Sequence, residues 1–241
     1  MVNLFKEKNK YDIGDLIAIT KLLRSPEGCP WDREQTHRSI RRNFIEEAYE
    51  AVEGIDVAEA NPELLKEELG DVLLQVVFHS EMEDEKGVFG FDDVADRVVR
   101  KLILRHPHIF GDTVASDSQE VLKNWDEIKK SEKGQTTLAD QLEDVAASLP
   151  ALLKADKLVQ RVKKSGAELP DVHEVAERIR VFINAYENGA VTVDGGGIAD
   201  EIGQALFALV IMSNRLGCDP ESSLGRACMK FIEKCREIDM R

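Results

Sequence analysis

Apolar residues recur every three or four positions along most of the chain, which places them on one face of an α-helix. Alternation with a period of two, the mark of a half-buried strand, is not convincing in any segment. The sequence therefore predicts an all-α protein. The predicted helices cover residues 12–25, 36–59, 62–85, 91–105, 117–133, 151–165, 171–188, 198–216 and 220–238.

A polar stretch, Ser131–Thr137, separates the fifth and sixth of these helices. Polar residues without helical periodicity are typical of a connection between two packed bodies. The chain of 241 residues is long enough for one large or two small domains. The predicted domains are residues 1–130 and 138–241, joined by a linker at residues 131–137.

A faint internal repeat relates the two halves. The segment Glu68–Val77 aligns with Glu201–Val210, with apolar residues at matching places. The acidic positions are not kept, because Asp71 falls on Gln204. The three glutamates of the helix upstream fall on Glu177, Arg178 and Val181.

The predicted helix 62–85 is apolar around well over half of its circumference, which is typical of a helix buried on most sides. Its polar side chains form a narrow stripe of Glu68, Asp71, Gln75 and His79. A buried carboxylate is costly unless it is paired or binds a metal ion. The alternative is a set of salt bridges with Lys66 or with arginines of a neighbouring helix. We interpret His79 as a polar core residue, because it lies alone and two turns from Asp71.

The preceding helix carries a second acidic group, Glu46, Glu47 and Glu50. Helical neighbours lie three and four residues apart, so Glu46 and Glu47 both lie beside Glu50. If the two helices pack antiparallel across their short connection, five carboxylates converge. The alternative is an ordinary solvated face, opposite an apolar face formed by Ile45, Ala48, Val52 and Ile55.

Five ionised carboxylates in one place require a cation. Two such charges about 5 Å apart repel by ~3 kcal/mol at an effective dielectric constant of about 20. The donors are oxygen atoms, with no Cys or His among them, which favours a hard ion. The sequence therefore predicts a site for Mg²⁺ or Mn²⁺ between these two helices.

The charge balance limits the class of partner. The formal net charge is −14, whereas long nucleic acids are bound by proteins that neutralise phosphates with Lys and Arg. Long nucleic acid is therefore not an expected partner. A small phosphorylated substrate is compatible with the charge, because a bound metal ion reverses the local sign.

The sequence does not point to a secreted or membrane protein. Residues 1–10 lack the apolar segment of a signal peptide. The longest apolar run, Ala205–Met212, is too short to span a bilayer. The cysteines show no CxxC pair and no histidine at zinc spacing; they are Cys29, Cys218, Cys228 and Cys235. We expect reduced thiols in a cytoplasmic protein.

Four motifs resemble those of a known family. They are Gly28-Cys29-Pro30-Trp31-Asp32-x-x-Gln35-Thr36, Glu46-Glu47-x-Tyr49-Glu50, Glu67-Glu68-Leu69-Gly70-Asp71 and Arg105-His106-Pro107-His108-Ile109-Phe110. In this order they closely resemble the MazG family of nucleoside triphosphate pyrophosphohydrolases, and the tandem halves resemble its two-copy members. The resemblance implies all-α four-helix cores that dimerise. It also implies Mg²⁺-dependent cleavage of nucleoside triphosphates between the α and β phosphates, giving nucleoside monophosphate and pyrophosphate.

In that family the EExxE and ExxD carboxylates hold the metal ions. Carried over by motif, the implied ligands are Glu46, Glu47, Glu50, Glu68 and Asp71. The second half departs from the pattern, with Arg178, Val181 and Gln204 where ligands are needed. In some two-copy members the C-terminal copy is reported as the active one. Here we expect catalysis in the N-terminal half and interpret the C-terminal half as a degenerate copy that dimerises or occludes nucleotide.

Further residues are candidates for the chemistry and for substrate contact. Glu47, at the edge of the cluster, is the candidate general base that orients or deprotonates the attacking water. The candidates for substrate contact are Trp31, Lys101, Arg105, Trp125 and Lys129. Lys101 and Arg105 lie one helical turn apart, which suits the phosphate chain; otherwise they are ordinary surface cations. The two tryptophans either stack on a base or anchor packing.

Two other functions fit the same residues. A related all-α pyrophosphohydrolase with a narrow substrate, such as dUTP, dCTP or phosphoribosyl-ATP, would have the same carboxylate scaffold. A non-catalytic nucleotide-sensing helical dimer would suit the degenerate second copy, whereas the intact cluster in the first half argues against it. Release of pyrophosphate from a panel of nucleoside triphosphates in the presence of Mg²⁺ separates the three.

Overall fold

The computed structural model describes residues 7–188 and 197–239. These residues form α-helices without any β-strand, and none of the helices among them is long and apolar enough to cross a membrane. In chain order the helices are α1 (Ile13–Arg24), α2 (Pro30–Glu34), α3 (Arg41–Asp56), α4 (Pro62–Asp84), α5 (Phe91–Arg105), α6 (Pro107–Phe110), α7 (Ser118–Glu132), α8 (Leu138–Glu143), α9 (Ala151–Ser165), α10 (Val172–Glu187), α11 (Gly197–Arg215) and α12 (Pro220–Asp239). The predicted all-α fold class is confirmed. The expectation about a signal peptide falls partly on residues 1–6, which lie outside the described residues.

The long helices lie where the apolar pattern predicts them, with one larger shift. Helix α3 begins at Arg41 rather than near residue 36, because Thr36 and Ser39 form a turn. The Ser39 Oγ accepts a hydrogen bond from the Thr36 N–H at 2.9 Å, and the Thr36 Oγ1 accepts one from the Ser39 N–H at 3.2 Å. Side chains that bond to the nearby backbone in this way compete with helix formation.

Three short helices, α2, α6 and α8, are absent from the prediction. Helices α2 and α6 begin with a proline in their first turn, where the missing N–H is no loss. Helix α8 begins with a capping box: the Thr137 Oγ1 accepts from the Asp140 N–H at 3.1 Å, and the Asp140 carboxylate accepts from the Thr137 N–H at 2.8 Å. Segments of this length are too short to show helical periodicity, so the pattern misses them.

Contacts divide the chain into two compact units, residues 1–121 and 122–241. In the first unit, α4 packs against α1, α3 and α5. In the second unit, α9 packs against α8, α11 and α12, and α11 also packs against α10. The division falls within the first turn of α7, and the domain bounds taken from the polar stretch stay a prediction.

Each unit has its own apolar core. In the first unit, Ile40 forms a buried cluster with Phe78 and Met82 of α4. In the second unit, the core joins α9, α10 and α11 through Val159, Val175, Ala208, Val210 and Ile211. The α3–α4 pair and the α10–α11 pair therefore rest on separate cores.

Helix α4 is buried on most sides in its C-terminal half alone. Val77, Phe78 and Met82 are at most 7% exposed, whereas Leu69 is 51% exposed and Leu73 is 39% exposed. The expectation of burial along the whole helix is wrong for this chain by itself, because the helices packed on α4 leave its N-terminal half partly uncovered. The apolar stripe of α3 is exposed too, at Ile45, Val52 and Ile55.

Candidate active site

Helices α3 and α4 form a close pair joined by residues 57–61. Small residues of α3 allow the approach, and of these Ala51 and Gly54 are buried. A Cβ atom on Gly54 would lie 3.0 Å from the Cα atom of Leu65, so the backbones meet at a distance that a larger residue would not permit. Glu47 lies one turn before Ala51 on the same face of α3, and the close approach brings it toward α4.

Three carboxylates meet between the two helices. Carboxylate oxygens of Glu47, Glu50 and Glu68 all lie within 4.8 Å of one another. Glu47 and Glu68 are half-buried, and Glu50 is exposed. In the part of the chain that the structure describes, no other group of three acidic, histidine or cysteine side chains is close enough to hold one metal ion. The two acidic motifs therefore contribute to one cluster.

The other two predicted ligands are placed differently. Asp71 is half-buried on α4, one turn beyond Glu68. Glu46 is paired with Arg42, whose Nε donates a hydrogen bond to the Glu46 Oε1 at 2.7 Å, and the Glu46 side chain is 48% exposed. The structure thus brings three of the five carboxylates together, with Asp71 close enough to act on their charge and Glu46 engaged elsewhere.

The cluster is crowded with negative charge. Burial, and then the charges of Asp71, Glu50 and Glu68, raise the pKa of Glu47 above its usual value. Burial, and then Glu50 and Asp71, raise the pKa of Glu68 in the same way. Among the described residues, no Lys or Arg forms an ion pair with Glu47, Glu50 or Glu68. A hard cation fits this cluster, because it would relieve the repulsion and the donors are carboxylate oxygens.

Trp31 lies on α2 and is 60% exposed. Arg24 holds this helix, since its Nη1 donates to the carbonyl oxygen of Asp32 at 2.6 Å and to that of Gln35 at 3.3 Å. The same guanidinium makes two hydrogen bonds to Glu85, at 2.6 and 2.9 Å. The Trp31 ring is therefore open to a ligand on a fixed helix, and it is not a packing anchor within this chain.

Lys101 and Arg105 differ in their exposure on α5. Lys101 is exposed, whereas Arg105, one turn later, is 7% exposed. Arginine stays charged even where it is buried. The interpretation of both residues as ordinary surface cations is therefore wrong for Arg105, which lies inside the first unit at the end of α5.

Trp125 and Lys129 belong to the second unit. The Lys129 Nζ lies 5.1 Å from the centre of the Trp125 ring, within the range of a cation–π contact. Both line a cavity of about 240 Å³, whose other cations are Lys130, Lys157, Arg161 and Lys164. Its acidic lining residue, Asp126, pairs with Lys164 at 2.7 Å. The Nη1 of Arg161 is buried without a hydrogen-bond partner, so the cavity has the charge and the free donor of an anion site.

The α10–α11 pair is the counterpart of the α3–α4 pair. It borders a cavity of about 450 Å³ whose polar lining includes Arg178, Asp200 and Gln204. By the internal repeat, Arg178 stands where the first half has Glu47, and Gln204 where it has Asp71. Among the described residues of this pair, no three side chains form a metal-binding group. The lost carboxylates are thus replaced by a cation, an apolar valine and an amide.

Sequence reasoning missed one polar group in the first unit. His37, in the turn before α3, contacts His79 and Glu83 of α4 through its two ring nitrogens. The interpretation of His79 as a lone polar residue is corrected, because its ring lies parallel to that of His37. The signal available in the sequence was the place of His79 on the polar stripe of α4, which does not reveal a partner 42 residues away.

Part of the first unit matches a known family model. Residues 35–110 match the model described as the MazG nucleotide pyrophosphohydrolase domain. These residues run from the turn before α3 to the end of α6. They include Glu47, Glu50 and Glu68, so the carboxylate cluster lies within the matched region.

Three relatives match nearly the whole chain. The nucleoside triphosphate pyrophosphohydrolase/pyrophosphatase MazG of Thermotoga maritima is 39% identical over 225 residues, which cover 93% of this chain and 84% of the relative. The nucleoside triphosphate pyrophosphohydrolase of Escherichia coli is 38% identical over 230 residues, 94% of this chain and 87% of the relative. That of Mycolicibacterium smegmatis is 41% identical over 228 residues, 93% of this chain and 58% of the relative. Since such identity extends over most of both sequences in the first two cases, this chain belongs to the MazG family of nucleotide pyrophosphohydrolases.

Proposed function

We propose that this chain is a nucleoside triphosphate pyrophosphohydrolase, which gives nucleoside monophosphate and pyrophosphate. The observation that carries the proposal is the group of three carboxylates, Glu47, Glu50 and Glu68, within 4.8 Å of one another. The family and the names of the relatives support it. The catalytic centre belongs to the N-terminal domain, residues 1–130, and the C-terminal domain, residues 138–241, is a degenerate copy.

The carboxylate cluster is the proposed site of Mg²⁺, with Mn²⁺ as an alternative. Glu47, Glu50 and Glu68 supply oxygen ligands, which these hard ions prefer, and Asp71 adds a fourth one turn beyond Glu68. Glu46 joins the set if it leaves Arg42. When bound, the ion neutralises charge on the phosphates and lowers the pKa of a bound water.

Glu47 is the proposed general base. Hydrolysis of a phosphoanhydride requires positioning and charge neutralisation more than covalent chemistry by the protein. Burial, followed by the charge of Asp71, raises the pKa of Glu47 in the metal-free cluster. A bound cation would lower this pKa, so the proposed role rests on the half-buried place of Glu47 beside Glu50 and Glu68. As the water oxygen attacks phosphorus, its proton passes to a Glu47 carboxylate oxygen and pyrophosphate departs.

The remaining candidate residues are proposed to contact either the phosphate chain or the base of the nucleotide. Lys101 and the buried Arg105 are the proposed partners of the phosphate chain, since cations neutralise charge that shifts during the reaction. The exposed ring of Trp31 is proposed to stack on the base. Trp125 and Lys129 are proposed to bind nucleotide through the second-unit cavity, where cations suit phosphates and the ring suits a base.

We also propose a homodimer in the cytoplasm. Helices α3 and α5 expose apolar side chains that the chain itself does not cover: Ile45, Val52, Ile55, Val98, Val99, Leu102 and Ile103. Such a surface marks an interface, and a second copy is the partner that the family resemblance implies. The free cysteines are compatible with a reducing compartment. Sedimentation equilibrium tests the assembly, and a stable monomer at micromolar concentration would refute it.

The activity is tested by metal-dependent release of pyrophosphate from a panel of nucleoside triphosphates. With Mg²⁺ or Mn²⁺, ATP is expected to give AMP and pyrophosphate. Ca²⁺ is expected to bind with little turnover, because it tolerates looser geometry and activates bound water less. ADP and orthophosphate as products would refute the proposal. Turnover of dUTP, dCTP or phosphoribosyl-ATP alone would indicate the narrow-substrate enzyme, and metal binding without turnover would indicate the nucleotide sensor.

A further inference from the structure

Two histidines connect the turn before α3 to the side of α4. The Nδ1 atoms of His37 and His79 lie 2.7 Å apart, and the two rings are parallel to within 5°. The other ring nitrogen of His37, Nε2, lies 2.5 Å from the Oε1 of Glu83, which also accepts a hydrogen bond from Lys86. The ring of Phe44 lies beside His79, with 5.7 Å between ring centres. We call the contacts of His37 with His79 and Glu83 the histidine link.

The positions of the protons follow from the partners. Lys86 first, and then His37, keep the pKa of Glu83 below its usual value, so this carboxylate accepts and the His37 Nε2 donates. The short contact between the two Nδ1 atoms then needs one proton, which either ring can carry. A second proton between them would break the contact by repulsion.

The charged groups of α1 that face this part of α4 have other partners. Lys21 pairs with Asp84 at 2.9 Å, and Arg24 pairs with Glu85 at 2.6 Å. Glu83 is thus left to His37 and to Lys86, which lies in the turn after α4. The histidine link therefore does not depend on α1, and it joins the entry of α3 directly to α4.

The histidine link lies at the open end of the α3–α4 pair. At the other end, residues 57–61 join the two helices, and Gly54 lies against Leu65. With a rise of 1.5 Å per residue, Ile40 lies ~21 Å from Gly54 along α3, and Glu47 lies ~10 Å from it. If α3 tilts away from α4 about Gly54, Glu47 therefore moves by about half as far as Ile40 does. A displacement of ~2 Å at Ile40 then moves Glu47 by ~1 Å.

The apolar contacts at the open end do not fix its direction. Ile40 is the N-cap residue of α3 and makes no capping hydrogen bond through its side chain. It packs with Phe78 and Met82, but apolar contact is non-directional and permits sliding. Hydrogen bonds require a defined distance and angle. The histidine link and the Arg24 hydrogen bonds to Gln35 and Glu85 thus supply the directional contacts at the open end, and the histidine link is the one nearer to α3 along the chain.

We propose that His37 and His79 are positioning residues, whose link locks the open end of the α3–α4 pair and so holds Glu47 and Glu50 against Glu68. This inference rests on the proposed function, because it assigns a role beside the proposed metal cluster. A displacement of about 1 Å in a catalytic group costs up to about 10²-fold in rate. Loss of the histidine link is therefore expected to lower kcat by about 10-fold or more and to weaken Mn²⁺ binding.

Amide side chains can replace single ring nitrogens, since asparagine places a polar atom near Nδ1 and glutamine places one near Nε2. His37→Ala and His79→Ala remove the contact between the rings. His79→Asn keeps the contact with His37. His37→Gln keeps the bond to Glu83 and loses the bond to His79. The matched control is His173→Asn, which changes an exposed histidine of the second unit.

Each variant is measured in three ways. Electron paramagnetic resonance gives the Kd for Mn²⁺ without nucleotide, pyrophosphate release gives kcat, and circular dichroism gives thermal unfolding. Both alanine variants are expected to bind Mn²⁺ about 10-fold more weakly and to lose kcat by about 10-fold or more. The double alanine variant is expected to lose no more Mn²⁺ affinity and no more kcat than the worse single variant, because the two substitutions remove the same contact between the rings. His79→Asn and His173→Asn are expected to stay near the wild type.

The pH dependence of Mn²⁺ binding provides a second readout. The contact between the rings fails when both Nδ1 atoms carry a proton, so the wild-type Mn²⁺ affinity is expected to fall as the pH drops through the lowered pKa of His79. Burial, and then the charge of His37, lower the pKa of His79, which delays this loss. Asparagine takes up no proton, so in His79→Asn the loss of affinity at acid pH is expected to keep only the part that comes from protonation of the cluster carboxylates, whose pKa values are raised at Glu47 and Glu68.

Wild-type Mn²⁺ affinity in folded alanine variants would overturn the positioning role. A His79→Asn variant as weak as His79→Ala would overturn it too, since ring packing rather than the hydrogen bond would then matter. If the alanine variants unfold, the Mn²⁺ affinities of His79→Asn and His37→Gln are compared instead. His79→Asn keeps the hydrogen bond between positions 37 and 79 and His37→Gln loses it, so equal affinities would overturn the positioning role. A wild-type protein that binds Mn²⁺ and hydrolyses no nucleotide would refute the proposed function, and the Mn²⁺ affinities would still decide the positioning role.

Discussion

The α3–α4 pair of the first unit and the α10–α11 pair of the second share an apolar pattern and differ in their polar chemistry. The first pair brings Glu47, Glu50 and Glu68 within 4.8 Å of one another. The second pair lines a cavity with Arg178 and Gln204 at matching positions of the repeat. Packing two helices requires an apolar face, whereas binding a divalent ion requires a few donors at fixed places. A copy can therefore lose the site and keep the fold.

One carboxylate site in each unit shows the two opposite ways in which charge is balanced. In the first unit, burial and like charges raise the pKa of Glu47 and of Glu68. In the second unit, the hydrogen bonds from Lys133 are the main cause that lowers the pKa of Asp144 to about 2. The cluster in the first unit thus holds repulsion that an added cation would relieve, and Asp144 in the second unit is neutralised by Lys133 and Arg161.

The largest expected effect is that of Glu50→Gln on hydrolysis. The substitution removes one charge from the proposed metal site at nearly constant volume, so turnover is expected to fall by orders of magnitude without loss of the fold. Asp71→Asn is expected to act in the same way. Pyrophosphate release at saturating Mg²⁺ measures the effect, and far-UV circular dichroism checks the fold.

The matched control for that pair of variants is Glu201→Gln. Glu201 stands where the repeat has Glu68, and it is expected to tolerate the change because Arg178, Val181 and Gln204 cannot complete a metal site with it. Wild-type turnover in Glu50→Gln would show that the metal site does not lie in the first unit. An inactive Glu201→Gln variant would place the active site in the second unit instead.

A second prediction concerns the restoration of metal-binding carboxylates in the degenerate copy. The combined variant Arg178→Glu, Val181→Glu, Gln204→Asp restores four carboxylates beside α10 and α11. It is expected to bind additional Mn²⁺ per chain, because the donors would again converge between two packed helices. Electron paramagnetic resonance of titrated Mn²⁺ measures the stoichiometry.

The control for the rebuilt site is a variant in which one of the added glutamates lies outside the cavity. Arg180→Glu takes the place of Arg178→Glu in the combined variant, since Arg180 pairs with Glu177 and is not among the cavity residues. This variant has the same net charge and is expected to bind no additional Mn²⁺. Equal stoichiometry in the two variants would show that the two helix pairs are not equivalent.

A smaller effect is expected on stability in the absence of metal. Burial, and then neighbouring carboxylates, raise the pKa of Glu47 in the folded state, so the folded protein holds a proton over a pH interval in which the unfolded chain does not. Stability therefore falls as the pH rises through that interval. Glu50→Gln removes one repelling charge and is expected to raise Tm by a few degrees at pH 7 in EDTA.

Differential scanning calorimetry measures this difference. Excess Mg²⁺ is expected to reverse the order, since the wild type gains more from binding than the variant does. Glu201→Gln is again the control, with an unchanged Tm in both conditions. A Tm in EDTA that is lower for Glu50→Gln than for the wild type would contradict the assigned repulsion.

The smallest expected effect concerns Asp144 in the second unit. Lys133 donates to this carboxylate at 2.7 and 2.8 Å, and its folded-state pKa of about 2 lies below the usual 3.8. The stabilisation is therefore present above the usual value and lost as the pH falls through about 2. Solvent screens this pair, so Asp144→Asn is expected to lower Tm slightly at pH 7. A difference that persists below pH 2 would contradict the pairing.

The long helices were largely determined by the sequence alone. Helix α5 spans residues 91–105 and α9 spans residues 151–165, as the apolar pattern predicts. The Asn61 Oδ1 accepts a hydrogen bond from the Leu64 N–H at 3.3 Å and so caps α4. These features depend on residues within one or two turns of each other, and such neighbours can be read directly along the chain.

The choice between Glu46 and Glu47 was decided by tertiary packing. Both residues lie one turn from Glu50, so spacing along the chain treats them alike. Gly54 and Leu65 set the face of α3 that meets α4, and Glu47 lies on that face. Glu46, one residue earlier, pairs with Arg42 instead.

Sequence by itself thus determined the long helices and the two acidic motifs, because each depends on neighbours within a turn or two of one chain segment. Tertiary structure decided which carboxylates meet, that Arg105 is buried, and that His37 finds His79 across 42 residues. It also decided that Leu69 stays half uncovered although its helix is largely apolar. The physical reason is that burial and pairing depend on the partner surface, and helical periodicity describes one helix without its partner.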